Sequence, residues 1–219
     1  RGYREEAEDR VRCFRQMSRR LRLWSFADMD RSGKVRWTAR ELGYEIEEAR
    51  VRMGDQTGDS YRQLNPYGQV PAVELDGQTL IESNAICLSL AERHPEAGLI
   101  PQEQGSRDRF WQSVSLATSS LETPVVMYYL AKSGFVDSAW ADLSAGPLKA
   151  KLPVFSASMP ANGYICGDFT LADIFAAYVL RIGVQAGLLS LEGNLADYLR
   201  RLMTRPAAQA ARFFEGIGD

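Results

Sequence analysis

The run 65–86, NPYGQVPAVELDGQTLIESNAI, constrains the backbone more than any other part of this chain. Asn65-Pro66-Tyr67-Gly68 reads as a turn, a use of Asn, Pro and Gly that follows from their restricted or permissive φ. Asp76-Gly77 then separates two short segments, Ala72–Leu75 and Gln78–Ile81. Asp-Gly is a strong hairpin signal, because a two-residue turn needs positive φ at both central positions. Proline cannot donate to a strand ladder, so Pro71 belongs at a turn or at a strand's first residue. A cis Val70-Pro71 bond is expected there. After Ile81 the spacing turns helical, with Ile86, Leu90 and Ala91 on one face.

This geometry sets up a binding site. A cis bond would leave the Val70 amide and carbonyl open to an extended ligand backbone. Ser83 falls at a helix N-terminus, where unpaired amides and the macrodipole favour an anionic group such as a carboxylate. Glu82 beside it offers an acceptor for an ammonium. A site holding both charges of an amino acid beside a strand end suits a peptide-like ligand. The structural alternative is a hairpin and buried helix in which Glu82 and Ser83 only cap.

The rest of the first half alternates strand and helix. Residues 21–26 read as a strand, 35–42 as a helix stopped by Gly43, and 45–51 as a second strand, so the half is an α/β layer unit. Breakers from His94-Pro95 through Pro101 and Gly105 mark a linker. Beyond it 110–134, 147–158, 170–187, 191–204 and 207–214 read as helices. Thr170-Leu171-Ala172-Asp173 is a capping box, a structural device.

Composition narrows the class. With 219 residues, 45% hydrophobic and 25% charged, the chain is that of an ordinary globular protein. A net charge of -2 argues against a nucleic-acid partner. No run approaches the roughly 18 apolar residues of a membrane span. Cys13, Cys87 and Cys166 have neither CxxC nor metal-like spacing, which points to a reducing compartment, with the cytoplasm the default. The charged stretch 1–16 lacks an apolar core and is no secretory signal. It is expected to lie upstream of a true start at Met17, with an appended amphipathic helix as the alternative.

The Val-Pro turn followed by Glu-Ser resembles the glutathione-binding half of the cytosolic glutathione transferases, bacterial type. The likeness extends from Met17 through Leu23-Trp24-Ser25-Phe26, Gly33-Lys34-Val35-Arg36, Gly167-Asp168-Phe169-Thr170-Leu171-Ala172-Asp173 and Arg205-Pro206. It implies an α/β plus all-α architecture: a thioredoxin-like domain over 21–98 and an all-helical domain over 105–219, after an extra segment 1–20. By the resemblance Val70 pairs with the cysteinyl backbone of glutathione, Glu82 and Ser83 hold its γ-glutamyl end, and Gln69 lies near its glycyl end. It also implies a homodimer, a hydrophobic electrophile as second substrate and a role in detoxification. Glutathione is a co-substrate, and no metal is expected.

Such chemistry needs the glutathione thiolate. A free thiol has a pKa of roughly 8.5, and each unit of lowering is worth about 1.4 kcal/mol. The family's donor is a Tyr, Ser or Thr after the first strand, or a Cys that forms a mixed disulfide. Here the loop reads Ser25-Phe26-Ala27-Asp28-Met29-Asp30-Arg31-Ser32, with Asp30 where some bacterial members carry the activating hydroxyl. That departs from the pattern, because a carboxylate beside a thiolate raises the thiol pKa. With Arg31 neutralising Asp30, Ser32 becomes the candidate catalytic donor, Ser25 the runner-up, and simple helix capping the competing role for Ser32. The loop has no Cys, which disfavours a mixed-disulfide mechanism.

Two features are decoys. Asp28, Asp30, Ser32 and Gly33 match an EF-hand calcium loop, but Ala39 stands where its bidentate Glu is required. His94, the only histidine, precedes Pro95 at a helix end and has no nucleophile-elbow partner. Phe110, Trp111 and the Met127-Tyr128-Tyr129 cluster are candidates to line an acceptor site between the domains, with helical core as the alternative. The leading function is glutathione conjugation to an electrophilic carbon. The alternatives are a glutathione-dependent peroxidase or disulfide reductase on the same site, and a non-catalytic interaction module.

Overall fold

The structure is a computed structural model that describes residues 19–26 and 30–217. The expectations for 1–16, Met17, Cys13 and Asp28 lie outside the described residues. Strand β1 (Arg20–Ser25) buries Leu21 and Leu23 and turns Arg20 and Arg22 outward, the alternation of a half-buried strand. It pairs in parallel with β2 (Glu45–Arg50) and antiparallel with β3 (Ala72–Leu75), which pairs antiparallel with β4 (Gln78–Ile81). The order is β2-β1-β3-β4. Strand β2, EIEEAR, occupies an edge, where its charges oppose further strand pairing. The β3–β4 turn has positive φ at both Asp76 (52°) and Gly77 (74°), as the Asp-Gly reading requires.

Helix α1 (Ser32–Glu41) crosses from β1 to β2. Its end is set by Gly43 at φ 74°, with the Tyr44 amide reaching the Ala39 carbonyl (2.9 Å) and the Gly43 amide reaching Arg40 (3.2 Å). This double closure is available to glycine without a Cβ penalty. A one-turn helix α2 (Asp59–Arg62), unforeseen in the sequence, precedes the 65–71 loop. Helix α3 (Ser83–Glu92) follows β4 and packs against α1.

From residue 104 the described elements are helical. The run expected over 110–134 is α4 (Gln104–Ser115), a π-helical segment Leu116–Glu122 and α5 (Thr123–Lys132). Pro124 enters α5 at its first turn, so its missing N–H removes one α-type bond where the wider turns end. Helix α6 (Ala139–Ala157) begins eight residues before the expected 147, so that Pro147 lies inside it, as Pro153 does in both the expected and the observed helix. The sequence reading took Pro147 for a helix start. Helix α7 (Leu171–Gln185) is buried all round from Leu171 to Gly183 and forms the axis of the helical part. Helices α8 (Gly193–Met203) and α9 (Pro206–Ala210) close the fold.

The α/β and helical parts share one core. Trp37 of α1, fully buried, lies 4.7 Å from the Phe213 ring and 5.7 Å from Phe169. Its Nε1 donates to Glu41 (2.8 Å), and Glu41 receives both arms of Arg205 at 2.7 and 2.8 Å. The Arg205 guanidinium stacks 3.5 Å over Phe169. A planar fork on a carboxylate with an aromatic below it is a contact that lysine could not reproduce.

Candidate functional site

Strand direction brings the candidate residues to one end of the sheet. The register Trp24↔Ala72 and Ala72↔Ile81 places the end of β1, the start of β3 and the end of β4 side by side. Gln69 and Val70 enter β3 there, Glu82 and Ser83 leave β4 there, and Asp30 to Ser32 follow β1.

The 65–71 loop is held by its own side chains. Asn65 Oδ1 accepts the Tyr67 amide (3.1 Å), while its Nδ2 and the Tyr61 hydroxyl both donate to the Gln69 carbonyl at 2.7 and 2.9 Å. The Val70-Pro71 bond is cis. With the Gln69 carbonyl taken, the half-buried Val70 presents an amide and a carbonyl that have no hydrogen bond among the described residues. The Gln69 side chain is exposed.

Glu82 adopts φ 67°, a left-handed conformation that costs a non-glycine residue free energy. It accepts no side-chain capping bond, and its carboxylate is exposed. Its carbonyl already opens the helix by accepting the Ile86 amide (2.8 Å). Ser83, the first residue of α3, is buried, and its hydroxyl has no partner among the described residues. Neither side chain caps α3 in the way the structural alternative would have it.

Asp30 is the centre of the next loop. One carboxylate oxygen accepts the Phe26 amide (2.8 Å), and the other accepts the Ser32 amide (2.7 Å) together with the Ser32 hydroxyl. Ser32 is fully enclosed, so its hydroxyl proton is held by Asp30. Ser25 is equally enclosed and receives Arg36 Nη2 at 2.6 Å. Arg31 does not neutralise Asp30 as the sequence reading had it. Its Nε is drawn instead to Glu122 (2.7 Å), a carboxylate buried in the π-helical segment.

Glu122 has a second cation. Lys34 Nζ lies 2.7 Å from its other oxygen, 2.8 Å from Asn84 Oδ1 and 4.7 Å over the Tyr178 ring. Burial lowers the Lys34 pKa, and the adjoining Glu122 charge opposes that shift. Glu122, Lys34 and Asn84 therefore tie the starts of α1 and α3 to the helical part. Sequence reasoning did not single out this network. Its signals were a lysine on the buried stripe of α1 and a lone acid in the run LATSSLETPVV.

Elsewhere the placements are mixed. His94 bonds the Tyr44 hydroxyl (2.9 Å) and faces Glu96 (3.3 Å), away from the convergent sheet end. Phe110 is core, Trp111 is 38% exposed, and Met127, Tyr128 and Tyr129 are half-buried. Among the described residues no group of His, Cys, Asp and Glu could hold a metal, and no helix is long and apolar enough to cross a membrane.

Known proteins share this fold. Residues 26–98 match the family model described as the glutathione S-transferase N-terminal domain. The chain is 30% identical over 167 residues to glutathione S-transferase GstA of Escherichia coli O157:H7, spanning 74% of this chain and 81% of that protein. The fold superposes with a TM-score of 0.75 on the beta-etherase LigF of Sphingobium (21% identity, 88% of this chain and 98% of the other). A glutathione transferase homolog from Sulfitobacter with bound glutathione superposes equally well, at 0.75 (21% identity, 89% and 97%). The thioredoxin-like and helical parts, the turn before β3 and the extent of the match to GstA agree: this chain belongs to the glutathione S-transferase family of enzymes.

Proposed function

We propose that this protein is a glutathione transferase that joins the thiolate of glutathione to an electrophilic carbon of a hydrophobic small molecule, in a detoxifying role in the cytoplasm. The observation that carries the reading is the open polar edge at the sheet end. Among the described residues the Val70 amide and carbonyl lack partners, as does the Ser83 hydroxyl at the start of a ten-residue helix, and Glu82 stands exposed beside them. In this reading Val70 takes the cysteinyl backbone, Ser83 and the α3 amides take the γ-glutamyl carboxylate, and Glu82 takes its ammonium. Gln69 stands toward the glycyl end. The glutathione-binding unit is 21–98 and the helical unit 105–219, with the electrophile between them near Trp111 and Tyr128. The protein acts as a homodimer.

Ser32 serves as the thiol's donor only by exchanging its bond to Asp30 for one to sulfur. Asp30 thereby sets how available that hydroxyl is. Isothermal titration with glutathione, followed by ultraviolet difference absorbance of the bound thiolate across pH, tests the reading. Binding with a lowered thiol pKa is the expected result, and an electrophile screen would then separate conjugation from peroxide or disulfide reduction. Absence of binding at millimolar concentration would overturn it in favour of a non-catalytic interaction module.

A further inference from the structure

A cavity of about 280 Å³ lies between α1, the inner face of edge strand β2 and the segment that follows α9. None of Gln69, Val70, Glu82 or Ser83 lines it. Its charged lining is five arginines, Arg36, Arg40, Arg50, Arg181 and Arg212, against three carboxylates.

The carboxylates are already engaged. Glu48 holds Arg36 at 2.5 Å, Glu215 pairs with Arg212, and both oxygens of Asp30 accept from Phe26 and Ser32. The Arg50 side chain has no ion pair or hydrogen bond among the described residues, and the Arg40 side chain has there only a long bond of 3.5 Å to the Tyr44 carbonyl. Arg181 is the more telling residue. It is 3% exposed, its Nη1 donates to the Phe213 carbonyl, and its buried Nε and Nη2 have no partner among the described residues. Its guanidinium rests 4.7 Å over the Phe213 ring, which fixes the plane but accepts no hydrogen bond in it.

A buried guanidinium with two unsatisfied N–H groups is a costly arrangement. Nε and Nη2 lie on one edge of the planar group, the edge that receives a carboxylate through two parallel hydrogen bonds. Ile46, Ala210, Ala211 and Phe213 supply an apolar wall beside it. We propose that this cavity is a second ligand site, meeting the glutathione site only at Asp30, for a small monocarboxylic acid with an apolar or single-ring body. The body lies against Phe213 and Ile46, and the carboxylate meets the Arg181 edge once the guanidinium, whose Nε and Nη2 are enclosed, turns into the cavity. Arg40 and Arg50, both exposed, draw the anion in. The volume, near the lower end of ordinary ligand sites, suits one ring and not an extended peptide.

The test is calorimetric titration of the full chain with benzoate, without glutathione, so the outcome is independent of the thiol site. Benzoate should bind and benzyl alcohol, the uncharged counterpart, should not. Arg181→Gln should weaken benzoate about tenfold or more, as loss of a bidentate charged contact does. The surface pair Arg40→Gln with Arg50→Gln should weaken it severalfold with an unchanged thermal midpoint, which keeps the test decisive if Arg181→Gln does not fold. No binding at millimolar benzoate, equal affinity in folded Arg181→Gln or in the surface pair, or competitive displacement by glutathione would overturn the proposal.

Discussion

Lys34 and Glu122, 88 positions apart, meet at 2.7 Å with both side chains almost wholly buried. Removing one partner of such a pair leaves an uncompensated charge in the core, at about 3–5 kcal/mol. Glu122→Ala should therefore lower the urea midpoint strongly, and more than Lys34→Met, because it orphans Lys34 and frees Arg31 as well. The double variant should recover part of the loss. A Glu122→Ala midpoint equal to the parent's would mean that the pair contributes nothing to holding α1 on the π-helical segment.

Asp173 joins the start of α7 to two other segments. Its carboxylate accepts the Thr170 amide (2.9 Å), the Ile165 amide (3.0 Å) and the Tyr198 hydroxyl (2.8 Å). The Thr170 hydroxyl accepts the Ala172 amide at 3.3 Å. Thr170→Ala should cost about 1 kcal/mol, as the loss of a cap does, while Asp173→Ala should cost more, because it removes the acceptor of two amides and two hydroxyls, those of Thr170 and Tyr198 among them buried. Denaturant midpoints of the two variants decide this ordering.

How much of this was legible in the sequence depended on how local the cause was. Asp76-Gly77 and Gly43 announce their turns because φ is a property of the residue itself, and the capping box at Thr170 is closed within four positions. Pro147 misled because its helix is sustained by packing on α5, which outweighs the missing hydrogen bond. Arg31 was matched to the nearest acid in sequence, Asp30. The acid that takes it is 91 residues away, and no spacing rule reaches that far.

The anchoring role of Ser83 has a direct readout. Ser83→Ala should weaken glutathione binding severalfold or more, the loss of a charge-assisted hydrogen bond. Titration calorimetry is the measurement, and affinity equal to the parent's would remove Ser83 from the site. The same variant should leave stability nearly unchanged, since the hydroxyl has no protein partner among the described residues to lose.

Two cysteines bear on the disulfide-reductase alternative. Cys87 is fully enclosed, and burial pushes its thiol up to about 11, while Cys166 is raised by the same cause. At neutral pH both are protonated and sterically shielded, so neither is a nucleophile. Iodoacetamide at pH 7.5, read by peptide mass mapping, should leave Cys87 and Cys166 unmodified in the native protein and label both after unfolding. Rapid native labelling of Cys166 would reopen a thiol mechanism within this chain.

Asp30 decides whether Ser32 can act on a thiol. Its carboxylate holds the Ser32 hydroxyl and also places negative charge at the sheet end where the thiol would lie. Both effects disfavour the thiolate: one withholds a donor, and the other raises the thiol pKa by like-charge repulsion. Asp30→Asn keeps an oxygen for the Ser32 amide while removing the charge, so α1 should still start at Ser32. The pKa of bound glutathione should then fall, and conjugation at neutral pH should rise as more of the thiol is ionised. Asp30→Ser should lower the pKa too, with some loss of stability from the weaker cap. Thiolate absorbance near 240 nm against pH measures the shift directly. A pKa that rises or stays put in Asp30→Asn would exclude Asp30 as the brake on this site.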